Sequence, residues 1–250
     1  MKKPVVLITG ALTGIGRAAA FAFAKDGARV VVSGRRQTEG KALEAELRGL
    51  GAEAEFIQAD VRHENEVRDL VDQAVAKFGR IDAAVNNAGT EGQPGLVVNQ
   101  TAESYAATFD TNVLGVLLSM KHELRVMTAQ KSGSIVNITS TYGRVGAAGA
   151  AVYVGSKHAV EGMTKSAALE VVASGVRVNA VAPGTTDTGM LTRFTRNADN
   201  KAALVATVPM GRMGTPDEIA QAIVFVASPS ASFMTGQVIS VDGGKAVGDF

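Results

Sequence analysis

The chain has 250 residues, of which 46% are hydrophobic, and its formal net charge is +1 at pH 7. This length suits one large domain with a well-buried core, and the near-neutral charge argues against a nucleic-acid-binding footprint. The cysteine count of zero excludes disulfides and thiolate chemistry. No apolar stretch reaches the ~20 residues of a membrane span, and glycines interrupt the apolar start before any signal-peptide cleavage pattern, so we expect a cytoplasmic protein.

Strand-like apolar runs alternate with helical patterns along the whole chain. The predicted strands are residues 5–9, 29–34, 53–58, 83–86, 134–139, 177–182 and 238–241. The predicted helices are residues 16–25, 38–50, 64–78, 102–128, 151–173 and 216–227. This alternation predicts a doubly wound α/β fold in a single domain, residues 1–250, with a seven-stranded parallel sheet covered by helices on both faces.

Polar and glycine-rich segments follow several of the predicted strands. A doubly wound sheet binds its ligand outside the carboxyl ends of its strands. The segments at such positions are residues 10–16, Asp60, residues 86–89, Ser140 and residues 183–188. We therefore expect them to gather at one edge of the sheet and to share a site.

Gly10, Gly14 and Gly16 occupy the turn between the first predicted strand and the first helix. Glycine lets the backbone approach a pyrophosphate closely, and the amides at the start of the next helix favour an anion. The spacing departs from the common Gly-x-Gly-x-x-Gly fingerprint, so the glycines alone are a weak signal. Their strand–turn–helix setting favours a dinucleotide site.

Tyr153 and Lys157 are four residues apart on a predicted helix and therefore share a face, with Ser140 upstream. A neighbouring ammonium group lowers the pKa of a tyrosine from its ordinary ~10. Lowering it by about 3 requires roughly 4 kcal/mol, which a desolvated site supplies and an exposed helix face does not. The same spacing also occurs on solvent-exposed faces, so the trio by itself leaves both interpretations open.

The motifs occur in a fixed order from one end of the chain to the other. They are Thr9-Gly10 with Gly14-Ile15-Gly16, Asp60-Val61, Asn86-Asn87-Ala88-Gly89, Asn112, Ser140, Tyr153, Lys157, Pro183-Gly184 with Thr188, and Val241-Asp242-Gly243-Gly244. Together they resemble the short-chain dehydrogenase/reductase family, in its single-domain branch with a Rossmann-like fold. The resemblance extends to members similar to 3-oxoacyl-carrier-protein reductase and to glucose dehydrogenase.

The resemblance implies an NAD(P)-dependent oxidoreductase that interconverts a ketone, or another carbonyl, and a secondary alcohol. Tyr153 is then the general acid/base, Ser140 bonds the substrate oxygen, and Lys157 holds the nicotinamide ribose and favours the tyrosinate. Asn112 is expected to support a water that links Lys157 to solvent. The residues predicted to contact the cofactor are Gly10, Thr13, Gly14, Ile15, Gly16, Ser33, Arg35, Arg36, Asp60, Val61, Asn87, Ala88, Gly89, Tyr153, Lys157, Pro183, Gly184, Thr186 and Thr188.

Gly34 stands where NAD-preferring members of the family commonly carry aspartate, and Arg35 and Arg36 follow it. Guanidinium groups match a ribose 2′-phosphate, which a carboxylate repels. We therefore expect NADP as the cofactor, with NAD as the second candidate. Two considerations oppose this choice: the arginines can also be solvated at the start of a helix, and Thr13 is uncharged where some NADP-dependent relatives carry a basic residue.

Residues 188–210 resemble a mobile lid over the substrate, in which Arg193 or Arg196 could meet an acidic substrate. The histidines have no metal-ligand spacing, so no metal is expected. Family members are often tetramers, which implies a homotetramer without nucleic-acid or membrane partners. A small-molecule carbonyl or alcohol is the expected substrate, and its identity stays open. A non-catalytic dinucleotide sensor or another nucleotide-fold enzyme, such as a methyltransferase, remains an alternative.

Overall fold

The computed structural model describes residues 3–247, so residues 1–2 and 248–250 of the predicted domain lie outside the described part. The strands in this part are β1 (Val5–Thr9), β2 (Arg29–Gly34), β3 (Ala54–Gln58), β4 (Ala83–Asn86), β5 (Gly133–Ile138), β6 (Val176–Pro183) and β7 (Val238–Val241). They form one parallel sheet in the order β3-β2-β1-β4-β5-β6-β7. The predicted fold class is confirmed, with strand ends that differ from the predicted ones by one residue at most.

The α-helices lie between the strands. Within residues 3–247 they are α1 (Gly14–Lys25), α2 (Gln37–Gly49), α3 (Glu64–Phe78), α4 (Ala102–Phe109), α5 (Gly115–Gln130), α6 (Ala151–Val171), α7 (Gly189–Thr195), α8 (Ala198–Ala206) and α9 (Pro216–Ala227). In this part of the chain, no helix combines the length and the apolarity that crossing a bilayer requires.

The sheet has a buried apolar core on each face. Successive side chains of a strand point to opposite faces, so Val30 and Val32 pack in one core with Ile223 of α9. Val31 points the other way and packs in the second core with Val160 of α6. A continuous run of valines in β2 is therefore what burial on both faces demands.

The predicted helix over residues 102–128 is wrong in one respect, because a π turn at Asp110–Leu114 divides it into α4 and α5. The turn contains Asn112, which is fully buried. Its side chain exchanges two hydrogen bonds with the backbone of Thr90: Thr90 N donates to Oδ1 (2.8 Å) and Nδ2 donates to the Thr90 carbonyl (2.9 Å). A π turn adds one residue to a helical turn, and here it coincides with these bonds.

The predicted lid contains two short helices, α7 and α8, which the sequence pattern had not indicated. Thr188 caps α7 by accepting a hydrogen bond from the Leu191 amide (3.3 Å), and Asn197 caps α8 in the same way through the Asn200 amide (2.8 Å). Arg196 lies between the two helices with a φ of 65°. Opening and closing of this segment stays a prediction.

Candidate active site

Two adjoining cavities lie at the carboxyl edge of the sheet. A cleft of about 590 Å³ follows the glycine turn and the ends of β2 and β3. A smaller cavity of about 140 Å³ reaches Ser140, Tyr153 and Lys157. The residues that line both are Ile15, Asn87, Gly89, Glu91, Thr188 and Met190. The strand-end segments thus lie together at one edge of the sheet, as the sequence predicts.

The predicted cofactor residues divide between these cavities. Those lining the cleft are Gly10, Thr13, Gly14, Ile15, Ser33, Arg35, Arg36, Asp60, Val61, Asn87, Ala88, Gly89 and Thr188. Those lining only the smaller cavity are Tyr153, Lys157, Pro183, Gly184 and Thr186. Gly16 lines neither, because it packs beneath the turn: a Cβ there would lie 2.4 Å from Asn87 Nδ2.

The glycine turn is locked against the segment that follows β4. Asn87 Nδ2 donates to the carbonyl of Gly10 (2.8 Å) and to that of Thr9 (3.3 Å). Gly10 has a φ of +62°, and a Cβ on it would lie 2.6 Å from Ala88 Cα. These contacts require glycine at position 10 and hold the turn in one conformation.

The start of α1 fits a pyrophosphate. The helix begins at Gly14, which has a φ of +56° and lines the cleft. Thr13, its N-cap residue, makes no side-chain capping bond with the described residues. The first amides of this helix therefore lack the usual capping acceptor, and amides at such a position favour an anion. The residues present fit the dinucleotide that the sequence predicted.

The end of the cleft at β2 carries the residues expected to select the cofactor. Arg36 is the N-cap residue of α2 and forms an ion pair with Glu39 (3.2 Å). Arg35 forms no ion pair with any residue between positions 3 and 247. Asp60 accepts hydrogen bonds from Arg62 at 2.6 and 3.0 Å, and these hold the pKa of the carboxyl below its usual value. Arg35 is thus the guanidinium that is available for a phosphate.

The smaller cavity brings Ser140, Tyr153 and Lys157 together. Ser140 is the second residue after β5, and its Oγ accepts a hydrogen bond from the Tyr142 amide (3.2 Å). Tyr153 and Lys157 lie on the first two turns of α6 and share a face, with Lys157 Nζ 5.6 Å from the centre of the tyrosine ring. Lys157 Nζ donates to the carbonyl of Ile138 (3.0 Å).

Burial controls the acidity of this pair. It raises the pKa of Tyr153 to about 12, although a hydrogen bond to Ser140 acts in the opposite direction. It also lowers the pKa of the Lys157 ammonium to about 8. The expected depression of the tyrosine pKa by Lys157 is therefore wrong for the protein alone, because desolvation is the largest influence on the pKa of Tyr153 and raises it.

Asn112 is not in contact with either cavity but is tied to the helix that carries the pair. Besides its bonds to Thr90, its Nδ2 donates to Ser156 Oγ (3.0 Å), which in turn donates to the Tyr153 carbonyl (2.7 Å). Sequence reasoning missed Thr90 and Ser156. The position of Ser156, directly before Lys157, was the signal available.

The lid is attached to the body of the protein by an ion pair. The Arg193 guanidinium on α7 donates to both oxygens of Glu91, at 2.5 and 3.1 Å, and Glu91 is largely buried. This contact raises the pKa of Arg193. The structure therefore does not support the expectation that Arg193 meets an acidic substrate, because Glu91 already neutralises the charge of Arg193. Glu91 itself lines both cavities.

The far wall of the smaller cavity is mostly apolar. It is formed by Tyr142, Met190, Leu191, Phe194, Leu204 and Lys245. The lysine was not among the residues singled out from the sequence. Across residues 3–247, no group of three or more histidine, aspartate or glutamate side chains is placed to hold a metal ion.

A family model described as enoyl-(acyl carrier protein) reductase matches residues 10–246. The chain belongs to the short-chain dehydrogenase/reductase family, as the sequence motifs predicted, and is an oxidoreductase. It is 38% identical to the 3-oxoacyl-[acyl-carrier-protein] reductase FabG of Thermotoga maritima, over 97% of this chain and 98% of that one. It is 40% identical to cis-4-hydroxycyclohexanecarboxylate dehydrogenase of Sinomonas cyclohexanicum, over 96% of this chain and 95% of that one.

Solved structures agree in fold. The crystal structure of levodione reductase superimposes with a TM-score of 0.96 at 32% identity, covering 98% of each chain. The structure of ElxO with NADP bound superimposes with a TM-score of 0.91 at 35% identity, covering 98% of this chain and 99% of that one.

Proposed function

We propose that the protein is an NADP(H)-dependent oxidoreductase that interconverts a carbonyl and a secondary alcohol, with Tyr153 as general acid/base. The observation that carries this proposal is the meeting of Ser140, Tyr153 and Lys157 in a cavity that is continuous with a dinucleotide-sized cleft. The relatives are named as reductases and dehydrogenases of carbonyl and alcohol compounds, which agrees with the same chemistry.

The protein's part in the reaction follows from the acidity of its groups. The bound nicotinamide supplies or accepts the hydride. The Tyr153 hydroxyl is protonated at neutral pH and is the group that would donate a proton to the carbonyl oxygen of the substrate, although burial, which raises its pKa, makes it a weaker acid. Ser140 donates a hydrogen bond to the same oxygen and orients the substrate.

Lys157 and Asn112 support the oxidative direction, in which Tyr153 must take a proton back. An ammonium group that is freed from the Ile138 carbonyl and turned toward the cofactor ribose favours the tyrosinate. Asn112 fixes Ser156 beside Lys157 and would support a water that links Lys157 to solvent. Both residues then act through Tyr153.

The cofactor contacts divide as the cleft does. The amides of Gly14 and Ile15 would hold the pyrophosphate, Asp60 and Val61 would contact the adenine, and Pro183 and Thr188 would contact the nicotinamide end. Arg35 would bind the 2′-phosphate, and one charge-assisted contact of this kind gives about a ten- to hundredfold preference for NADP over NAD. NADP or NADPH is bound in the similar structures of ElxO and of actinorhodin polyketide ketoreductase.

Cofactor choice is tested by comparing kcat/KM with NADPH and NADH in the wild type, Arg35→Ala and Arg36→Ala. We expect Arg35→Ala to lose most of the NADPH preference. Arg36→Ala, whose guanidinium pairs with Glu39, should lose less and serves as the matched variant. Equal or better use of NADH by the wild type would overturn the assignment of NADP.

The reaction is tested with a panel of ketones, aldehydes, quinones and 3-oxoacyl thioesters, followed by NADPH absorbance. Tyr153→Phe should abolish turnover and leave NADPH binding, measured by fluorescence titration, nearly intact. Tyr105→Phe is the control, because Tyr105 is half exposed and stacks on Phe109 at 4.2 Å. Substantial turnover by Tyr153→Phe would contradict its role. NADPH binding without any turnover across the panel would favour the sensor.

We also propose that the enzyme works in the cytoplasm as a homotetramer. The absence of cysteine from the sequence suits a reducing compartment. Large apolar side chains are exposed at several places in the described chain, among them Leu169 at 81% near the end of α6 and Phe233 at 104% before β7, and subunit contacts would cover such side chains. A sizing-chromatography peak at the monomer mass of 25.7 kDa would exclude the tetramer.

A further inference from the structure

Lys245 places a positive charge in the wall of the substrate cavity. The charged residues that line this cavity in the described chain are Glu91, Lys157 and Lys245. Glu91 is neutralised by Arg193, and Lys157 is bonded to the Ile138 carbonyl. Lys245 thus stands apart from the other two, which have partners within the protein.

The Lys245 ammonium has weak contacts only. Its Nζ lies 3.4 Å from Thr185 Oγ1 and 5.2 Å from the centre of the Tyr142 ring. No carboxylate within residues 3–247 lies at ion-pair distance from it. Asp242, the nearest acidic residue along the chain, instead accepts bonds from the backbone amides of Gly244 (3.0 Å) and Ala246 (2.9 Å). Burial lowers the pKa of Lys245, and the negative charge of Asp242 offsets this effect only in part.

The turn that carries Lys245 is held rigidly. The two bonds to Asp242 close it, and Gly243 and Gly244 adopt φ values of +65° and +90° that other residues rarely tolerate. A Cβ on Gly243 would lie 2.8 Å from Val208. The lysine is therefore presented to the cavity by a fixed backbone, as a binding group must be.

Tyr142 lies between Lys245 and Tyr153. Lys245 Nζ lies 5.2 Å from the centre of the Tyr142 ring, and that centre lies 6.5 Å from the centre of the Tyr153 ring. Lys245 Nζ is therefore separated from the centre of the Tyr153 ring by no more than the sum of these two distances. A ring-sized carbon skeleton or a short alkyl chain spans this separation, with its carbonyl at Tyr153 and its other end at Lys245. The apolar wall between them suits such a skeleton.

We propose that Lys245 binds a carboxylate on the substrate, which makes the substrate class small oxo acids and the corresponding hydroxy acids. The proposal rests on the proposed function for the location of the reacting carbonyl. One charge-assisted contact predicts about a ten- to hundredfold preference for the acid over an uncharged analogue of the same shape. Because the carboxylate is remote from the reacting carbon, the preference should appear mainly in KM.

The test uses methyl ketones that end in a carboxylate, with chains of increasing length, and the primary carboxamide of each. Wild-type protein should prefer the acids, most strongly at one intermediate length. Lys245→Met should remove this preference by slowing only the acids, and Lys245→Arg should restore part of it. Lys25→Met is the matched control, since Lys25 is an exposed lysine at the end of α1.

A direct binding measurement separates this proposal from the proposed function. Cyclohexanecarboxylate and its carboxamide are titrated into wild type and Lys245→Met by calorimetry. Tighter binding of the carboxylate by wild type alone supports the proposal, even if no ketone is reduced and the proposed reaction fails. Equal binding of the two compounds, or an equal loss for both on Lys245→Met, overturns it. If the neutral ketones are turned over, the proposed oxidoreductase reaction stands, whichever of these two binding results is obtained.

Discussion

Glu123→Gln should change how the stability of this protein depends on pH. Glu123 lies on α5 and is 1% exposed. Its Oε2 accepts a hydrogen bond from Asn86 Nδ2, which also donates to Asn137 Oδ1, both at 3.0 Å, and Asn137 continues the chain to Thr164 Oγ1 at 2.9 Å. This chain of bonds crosses β4 and β5 directly beneath the candidate site. Burial raises the pKa of Glu123 to about 7.

The size of the expected change in the free energy of unfolding follows from the pKa of Glu123 in the unfolded and in the folded state. The carboxyl ionises near pH 4.5 in the unfolded chain and near 7 in the folded protein. Between these values the folded protein binds more protons, so its stability falls as the pH rises through this window and then levels off. A window of roughly 2.5 in pH corresponds to about 3 kcal/mol. Glutamine keeps the acceptor for Asn86 and cannot ionise, so Glu123→Gln should lack this loss.

The assay is urea unfolding at pH 5 and pH 8, at one fixed protein concentration because assembly also contributes to stability. Between pH 5 and pH 8 the free energy of unfolding of Glu123→Gln should rise relative to that of the wild type by up to about 2.5 kcal/mol, because pH 5 already lies above the unfolded-state value of 4.5. Glu170→Gln, which alters an exposed residue of α6, is the control and should gain nothing. The same difference between Glu123→Gln and wild type at both pH values would refute the reasoning.

Three further substitutions test the packing, the capping and the lid. Gly40→Ala should destabilise the protein by about 1–3 kcal/mol in urea unfolding, because its Cβ would lie 2.1 Å from the ring of Phe56; unchanged stability would show that the ring moves freely. Thr215→Ala removes the N-cap of α9 and should cost about 1 kcal/mol by the same measurement, whereas Thr215→Ser should cost little. Glu91→Gln breaks the ion pair with Arg193, which is worth up to about 1 kcal/mol. The substitution should therefore speed limited proteolysis within residues 188–210 severalfold. An unchanged rate would argue against an attachment of the lid by this pair.

The sheet and the location of the site were predictable because they depend on short-range patterns. Apolar runs such as Val30 to Val32 mark strands that are buried on both faces, and glycine or polar residues mark the turns after them. Parallel strands then place all these turns at one edge, whatever the details of their packing. The strand pattern therefore predicts that Gly10, Asp60 and Ser140 share one site without knowledge of any distance, whereas the place of Tyr153 follows from the family resemblance.

The remaining features depend on contacts between distant parts of the chain. The pairing of Arg193 with Glu91 joins residues 102 positions apart, and neither residue carries a local signal of its partner. Lys245 enters the cavity because of a turn near the end of the chain, which no helical or strand period describes. The pKa of Tyr153 also differs from the predicted one, because it is raised chiefly by burial, which no local sequence pattern specifies.

The π turn at Asp110–Leu114 fixes the length of its segment for two reasons at once. Deleting one residue there would let an unbroken α-helix form with α5 still in register, so Met120 and Met127 would keep their places in the core, but the wider turn that holds Asn112 against Thr90 would be lost. Inserting a further residue would instead rotate every later side chain of α5 by about 100° and turn Met120 and Met127 away from the core. A deletion in these five residues should therefore act mainly on the bonds of Asn112, whereas an insertion should also disrupt the core.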